Sequence, residues 1–328
     1  MPRRFFKSPE FSILDRVLSG PVCSENDNIL KGPGDDAAVL KTGAGHPLLL
    51  SSDTSAEGTH FSMSYFSYYE AGYKSVVASV SDISAMGGTP FAILADTGVP
   101  SRASQKDISE LFKGIKTAAA DCGASLSGGD FFRTGRIIVS VTAAGYAGSA
   151  GPKYRNGASE GDRIFITGEC GKSSLGLSAC ASRKSFRGIN SLRRAHKIPE
   201  ISIEAGKILG DSSEVTSMID TSDGLSSEIS HISHSSGCGA LLEYEKIPVP
   251  RSIDLFCREL GLEREKTVLQ GGEDFNLLFT IRGSGKTVLE KMSIAGIKYS
   301  EIGIMTGKNL YLRKESINHP LKPGGYTH

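Results

Sequence analysis

Six short strings place a carboxylate directly beside glycine or serine: Gly34-Asp35-Asp36, Ser51-Ser52-Asp53, Ser81-Asp82, Gly128-Gly129-Asp130, Asp220-Thr221-Ser222-Asp223 and Gly271-Gly272-Glu273-Asp274. Aspartate is short and rigid, and a flanking glycine lets an anion approach the backbone. Magnesium prefers hard oxygen ligands and usually combines one or two carboxylates with substrate phosphates. A single such string would read as a helix cap or a turn. Six of them, in a chain whose 37 Lys+Arg balance 36 Asp+Glu, point to a site that handles several Mg²⁺ ions on a polyphosphate.

The balance of charge argues against binding along a nucleic-acid backbone, which calls for a basic excess. With 39% hydrophobic and 22% charged residues, the chain is not an acidic disordered solubiliser. No apolar run of 18 residues and no apolar signal-peptide core is present, so neither a membrane span nor secretion is expected. None of the six cysteines forms a CxxC pair, and reduced thiols in the cytoplasm are expected. Two motifs mislead. Gly168-Glu169-Cys170-Gly171-Lys172-Ser173 looks like the end of a P-loop, but Ile166 stands where GxxxxGK[ST] needs glycine, so a turn and a helix cap are expected. Gly32-Pro33-Gly34-Asp35-Asp36-Ala37 fits GxGxxA, yet carries carboxylates where a pyrophosphate would sit.

The elements that must hold these strings alternate. Helical spacing is read over 11–20, 69–86, 104–122, from 173, 201–209 and 225–234; strands over 47–53, 91–99, 136–145, 163–167, 240–244 and 275–281. The fold class is therefore α/β (α+β). Five glycines between 145 and 161, with Pro152 and Asn156, mark a junction, giving domains 1–148 and 149–328.

In order, GPGDDAAVL (32–40), LLLSSDTSAEGTHF (48–61), KSVVASVSDISAMGGTP (74–90), LSGGDFF (126–132), MIDTSDGLSSEI (218–229) and LQGGEDFNLLF (269–279) resemble the thiamine-monophosphate kinases, of the aminoimidazole-ribonucleotide synthetase-like ATP-binding superfamily. The resemblance implies phosphorylation of thiamine monophosphate by ATP, an N-terminal mixed sheet pairing in a homodimer, and a C-terminal α/β domain closing over the nucleotide. It implies Mg²⁺ ligands at Asp35, Ser51, Ser52, Asp53, Asp82, Asp130, Asp220 and Asp223. Gly129, Asp130, Arg155 and Ser222 would face ATP, as would Phe112, where a tyrosine is expected. His60, Glu273 and Tyr326 would face the thiamine phosphate. The other superfamily activities — purine cyclo-ligase, selenophosphate synthetase, hydrogenase-maturation dehydratase — are the competing reading. Against the dehydratase, the chain ends Gly324-Gly325-Tyr326-Thr327-His328 without a cysteine.

Overall fold

The computed structural model describes residues 26–43 and 45–326; the helix expected over 11–20 and Cys23 lie outside them. The first sheet contains β1 (Ile29–Lys31), β2 (Ala38–Leu40), β3 (Leu48–Ala56), β4 (Gly88–Pro100), β5 (Ser125–Gly128), β6 (Phe131–Thr134) and β7 (Ile138–Ala147). Alternation fixes its faces: Val139, Val141 and Ala143 of β7 are fully buried, while Ser140 and Thr142 between them point the other way. β7 runs antiparallel to both β3 and β4, and β5 and β6 pair in parallel with β4.

The buried face is covered by α1 (Tyr68–Ala85) and α2 (Gln105–Asp121). Both helices start at a reciprocal capping box, Ser67 with Glu70 and Ser104 with Asp107. They approach closely because glycines face backbone. A Cβ at Gly114 would lie 2.0 Å from the Tyr69 carbonyl oxygen, and one at Gly72 would lie 2.3 Å from that of Leu111.

The second half runs β8 (Arg163–Thr167), α3 (Lys172–Ala181), α4 (Ile189–Lys197), α5 (Ile203–Gly210), β9 (Val215–Asp220), α6 (Leu225–Ser236), β10 (Gly239–Glu243), α7 (Ile253–Leu260), α8 (Arg264–Gln270), β11 (Leu277–Ile281), α9 (Lys286–Ile294), β12 (Tyr299–Thr306), β13 (Leu310–Lys314) and β14 (Ile317–Pro320). Its seven strands lie in the order β14-β13-β10-β12-β8-β11-β9, and only β10 and β13 pair in parallel. β8 and β11 are apolar and buried on both faces, so apolar clusters form on each side of this sheet.

The halves share core. Ala85, at the end of α1, belongs to the cluster around Phe165 and Phe279, and Phe275 from the second half belongs to the core of the first. α5 meets the end of α1 backbone to backbone, since a Cβ at Gly210 would lie 2.0 Å from the Gly87 carbonyl oxygen. Where the expected strand 275–281 should begin, Phe275 has φ 49°, and regular pairing starts at Leu277. Four helices (189–197, 253–260, 264–270 and 286–294) and the strands at 29–31, 38–40, 125–128, 131–134, 215–220, 299–306, 310–314 and 317–320 were not anticipated.

Candidate metal–phosphate site

Three carboxylates from distant segments converge. Asp36 comes from the β1–β2 loop, Asp82 from the last turn of α1 and Asp220 from the end of β9, and one oxygen of each lies within 4.8 Å of the others. Neighbouring hydroxyls fix two of them: Ser51 Oγ donates to Asp82 Oδ2, and Ser81 Oγ donates to Asp220 Oδ2 at 2.5 Å. Arg155 Nη2 donates to Asp36 Oδ1 at 2.5 Å. The other Asp36 oxygen is buried and has no hydrogen-bond partner.

The electrostatics follow from this crowding. Burial first, then the charges of Asp53, Asp220 and Asp36, hold the Asp82 carboxyl well above the usual carboxylate range. Burial, then Asp36, pushes Asp220 up to about 7. Asp53 hydrogen-bonds Asp82 and is also raised by burial. Carboxylates packed this way must share protons or a cation. An orphaned oxygen among hard oxygen donors, with a single arginine for balance, fits a divalent cation of the magnesium type.

The remaining expected residues divide. Asp35 is turned away from the three: its Oδ1 accepts the Arg155 backbone N–H at 2.8 Å and its Oδ2 lies 3.3 Å from Lys31 Nζ. Arg155, expected at ATP, has its guanidinium committed to Asp36. Ser52 is exposed, with Oγ 3.1 Å from Thr142 Oγ1. Asp130 is exposed; its N–H donates to Asp96 Oδ1 and its carbonyl accepts the Thr97 N–H, both at 2.8 Å. Gly129 before it has φ +142°, and a Cβ there would lie 2.0 Å from the Ala95 carbonyl oxygen, so no other residue fits this turn. Phe112 is half-buried against the first core, its ring 6.5 Å from that of Phe131.

Ser222 and Asp223 follow β9 in a loop held from beneath by Glu228, whose Oε1 accepts the N–H groups of Asp223 (2.7 Å) and Gly224 (3.2 Å). The C-terminal segment docks on the same loop: Tyr326 N–H donates to the Asp223 carbonyl, and Ser226 Oγ donates to that of Gly324.

Glu273 sits at the seam of the two halves. Its Oε2 accepts from Lys74 Nζ at 2.8 Å and lies 3.4 Å from His196 Nδ1. Burial, reinforced by Lys74 and Lys197, pushes His196 down to about 3, so the ring is neutral and only Lys74 balances Glu273. Phe66 lies beneath both lysines, and its ring is edge-on to His196. His60 Nδ1 accepts the Ala56 N–H at 3.0 Å, and the His60 carbonyl accepts from Lys74. Glu273 also lines a cleft of about 1050 Å³ with Arg194, Lys298 and Tyr299. The P-loop-like stretch is a turn and a capped helix: the Asp274 carboxylate accepts the N–H groups of Gly171 (2.5 Å) and Ser173 (2.7 Å) at the start of α3.

Sequence reasoning passed over Asp36, Lys74, His196 and Glu228. Asp36 stood beside the aspartate chosen, and only the turn decides which of the two points inward. Lys74 stood in a quoted motif whose apolar residues drew the reading. His196 and Glu228 carry no local signal.

Residues 34–147 match the family model of the AIR synthase related protein, N-terminal domain, and residues 159–314 match that of the C-terminal domain. The thiamine-monophosphate kinase of Mycobacterium tuberculosis is 31% identical over 271 residues, covering 82% of this chain and 79% of the relative. That of Buchnera aphidicola subsp. Schizaphis graminum is 31% identical over 331 residues, covering 97% and 98%. The solved structure of AaThiL complexed with AMPPCP and TMP superposes with a TM-score of 0.82 at 24% identity over 100% of both chains. With its carboxylates gathered on this fold, the chain belongs to the thiamine-monophosphate kinase family of AIR synthase related proteins.

Proposed function

We infer that this protein phosphorylates thiamine monophosphate with ATP, yielding thiamine diphosphate and ADP. The observation that carries the reading is the meeting of Asp36, Asp82 and Asp220 from three distant segments, in a chain 31% identical to thiamine-monophosphate kinases. A phosphate monoester has its second pKa near 6 and is mostly dianionic at neutral pH, so the acceptor needs no base to become a nucleophile. The task is to bring two anions together. Two unit charges 4 Å apart repel by about 1 kcal/mol in water and about 4 kcal/mol at an effective dielectric near 20.

Magnesium ions held by Asp36, Asp82 and Asp220 would supply the neutralising charge on which phosphoryl transfer depends. Ser51 and Ser81 aim Asp82 and Asp220, and Arg155 aims Asp36. Asp35, Ser51, Ser52, Asp53, Asp130 and Asp223 are proposed as the outer ligands; Gly129, Asp130, Arg155, Ser222 and Phe112 as the nucleotide side; His60, Glu273 and Tyr326 as the thiamine-phosphate side. Transfer is direct and in line, with no phosphoenzyme.

The reading extends to the assembly. Phe91 and Tyr146 stack at 4.7 Å on the outer face of the first sheet, and Leu94 and Phe132 are 48% and 41% exposed on the same face. Such a patch calls for a partner, and a second copy of the chain supports the homodimer. The division at 148/149 is supported by the end of β7 at Ala147 and the start of β8 at Arg163. A cytoplasmic location is supported by the free thiols of Cys122, Cys170, Cys180, Cys238 and Cys257. Among the described residues no helix is long and apolar enough to cross a membrane.

Incubation with ATP, MgCl₂ and thiamine monophosphate should give equal amounts of thiamine diphosphate and ADP by chromatography. No product, with turnover of a purine-pathway amidine substrate instead, would hand the function to the cyclo-ligase reading.

A further inference from the structure

We propose that Lys74 is a positioning residue for the thiamine-phosphate side of the site: its buried ammonium ties the His60 carbonyl of the first half to the Glu273 carboxylate of the second and so sets where Glu273 points. The proposal rests on the kinase reading above and deepens it.

Lys74 projects from α1 and is 4% exposed. Its Nζ donates to Glu273 Oε2 at 2.8 Å and to the His60 carbonyl at 3.4 Å, and it lies 5.5 Å from the centre of the Phe66 ring. An ammonium so enclosed is held by its partners rather than by water. Among the described residues, Lys74 and His196 are the basic groups within ion-pair distance of Glu273. His196 is neutral, and Lys197 is engaged with Glu70 at 3.3 Å.

The backbone around Glu273 is held independently of Lys74. Glu273 and Phe275 both take left-handed conformations, with φ 62° and 49°, a strained arrangement for residues other than glycine. It is fixed by Glu273 N–H to the Ser222 carbonyl, Phe275 N–H to the Thr221 carbonyl, and the Asp274 cap on α3. Phe275 is anchored in the first core. Lys74 therefore adds the direction of one carboxylate at the mouth of the cleft, and a link from it to His60. Losing the ammonium frees that carboxylate without releasing the loop, so the thiamine phosphate should feel the loss and ATP should not.

The test is steady-state kinetics, with both substrates varied, on the wild type, Lys74→Met, Lys74→Arg, Glu273→Gln and the double variant Lys74→Met/Glu273→Gln. Lys74→Met should raise KM for thiamine monophosphate at least tenfold and leave KM for ATP within twofold. Lys74→Arg should recover part of the loss. The double variant should bind thiamine monophosphate no worse than Glu273→Gln alone, because Lys74 acts through that carboxylate. It also carries no lone buried charge, so it remains testable if Lys74→Met fails to fold. Equal rises in both KM values, an unchanged KM for thiamine monophosphate, or losses that multiply in the double variant would each overturn the proposal. A wild type that forms no thiamine diphosphate would overturn the kinase reading and this proposal together. An active wild type with an unaltered Lys74→Met would overturn this proposal alone.

Discussion

Asp82 lies where three interactions cross. It accepts the Ser51 hydroxyl, shares a hydrogen bond with Asp53, and feels the charges of Asp220 and Asp36. Without a cation the group is self-repelling, which is why burial and neighbouring charge together raise its carboxyl. Asp82→Asn keeps the shape and removes one charge. The substitution should leave the magnesium-free protein melting at the same temperature or higher, abolish the rise in melting temperature that MgCl₂ gives the wild type, and cut turnover at least 100-fold. Differential scanning fluorimetry with and without MgCl₂, beside the coupled ADP assay, checks all three. A variant that loses melting temperature in the absence of metal would show that Asp82 holds the fold rather than the ion.

The helices decide how these residues meet. α1 carries Ser81 and Asp82 in successive positions, about 100° apart around the axis, so one turn reaches both Asp220 of β9 and Ser51 of β3. α1 keeps its place by lying against α2 at Gly72 and Gly114. Gly114→Ala puts a methyl group where the Tyr69 carbonyl already sits. Because the obstacle is backbone, the helices must separate, and a loss of about 1–3 kcal/mol is expected, read as a lower urea midpoint; an unchanged midpoint would mean that the pair yields freely.

The spacing of Val76, Val80 and Ile83 made α1 legible in the sequence, as the β-branched run did for β7. The later helices were not anticipated: α4 and α7 are amphipathic, but each has only eight or nine residues and buries two or three, too short a run to stand out beside the longer helices. The carboxylate cluster was legible as a composition of aspartates beside glycine and serine. Its membership was not, because choosing Asp36 over Asp35 depends on a turn and on Arg155, 119 residues away.

The described residues leave one apolar face of the first sheet uncovered. Phe91, Leu94, Phe132 and Tyr146 lie exposed on the outward side of the first sheet, opposite the α1 and α2 layer, whereas Phe131 turns toward Phe112 of α2. If a second copy covers them, Phe91→Ser/Leu94→Ser should convert a dimer of about twice the chain mass to a monomer in light scattering, with little loss of secondary structure by circular dichroism. A wild type that is monomeric at micromolar concentration would remove the dimer from the account.

The three converging carboxylates also bear on the order in which the protein is made. Positions 36 and 82 leave the ribosome long before position 220, which closes the cluster from the edge strand of the second sheet. A nascent chain that has reached the end of β7 has Asp36 and Asp82 but neither Arg155, which aims Asp36, nor Asp220. Synthesis is vectorial and early segments fold first, while contacts distant in sequence form late because of their loop-closure cost. The carboxylate cluster is thus among the last features to exist, and truncated chains released before β9 lack it.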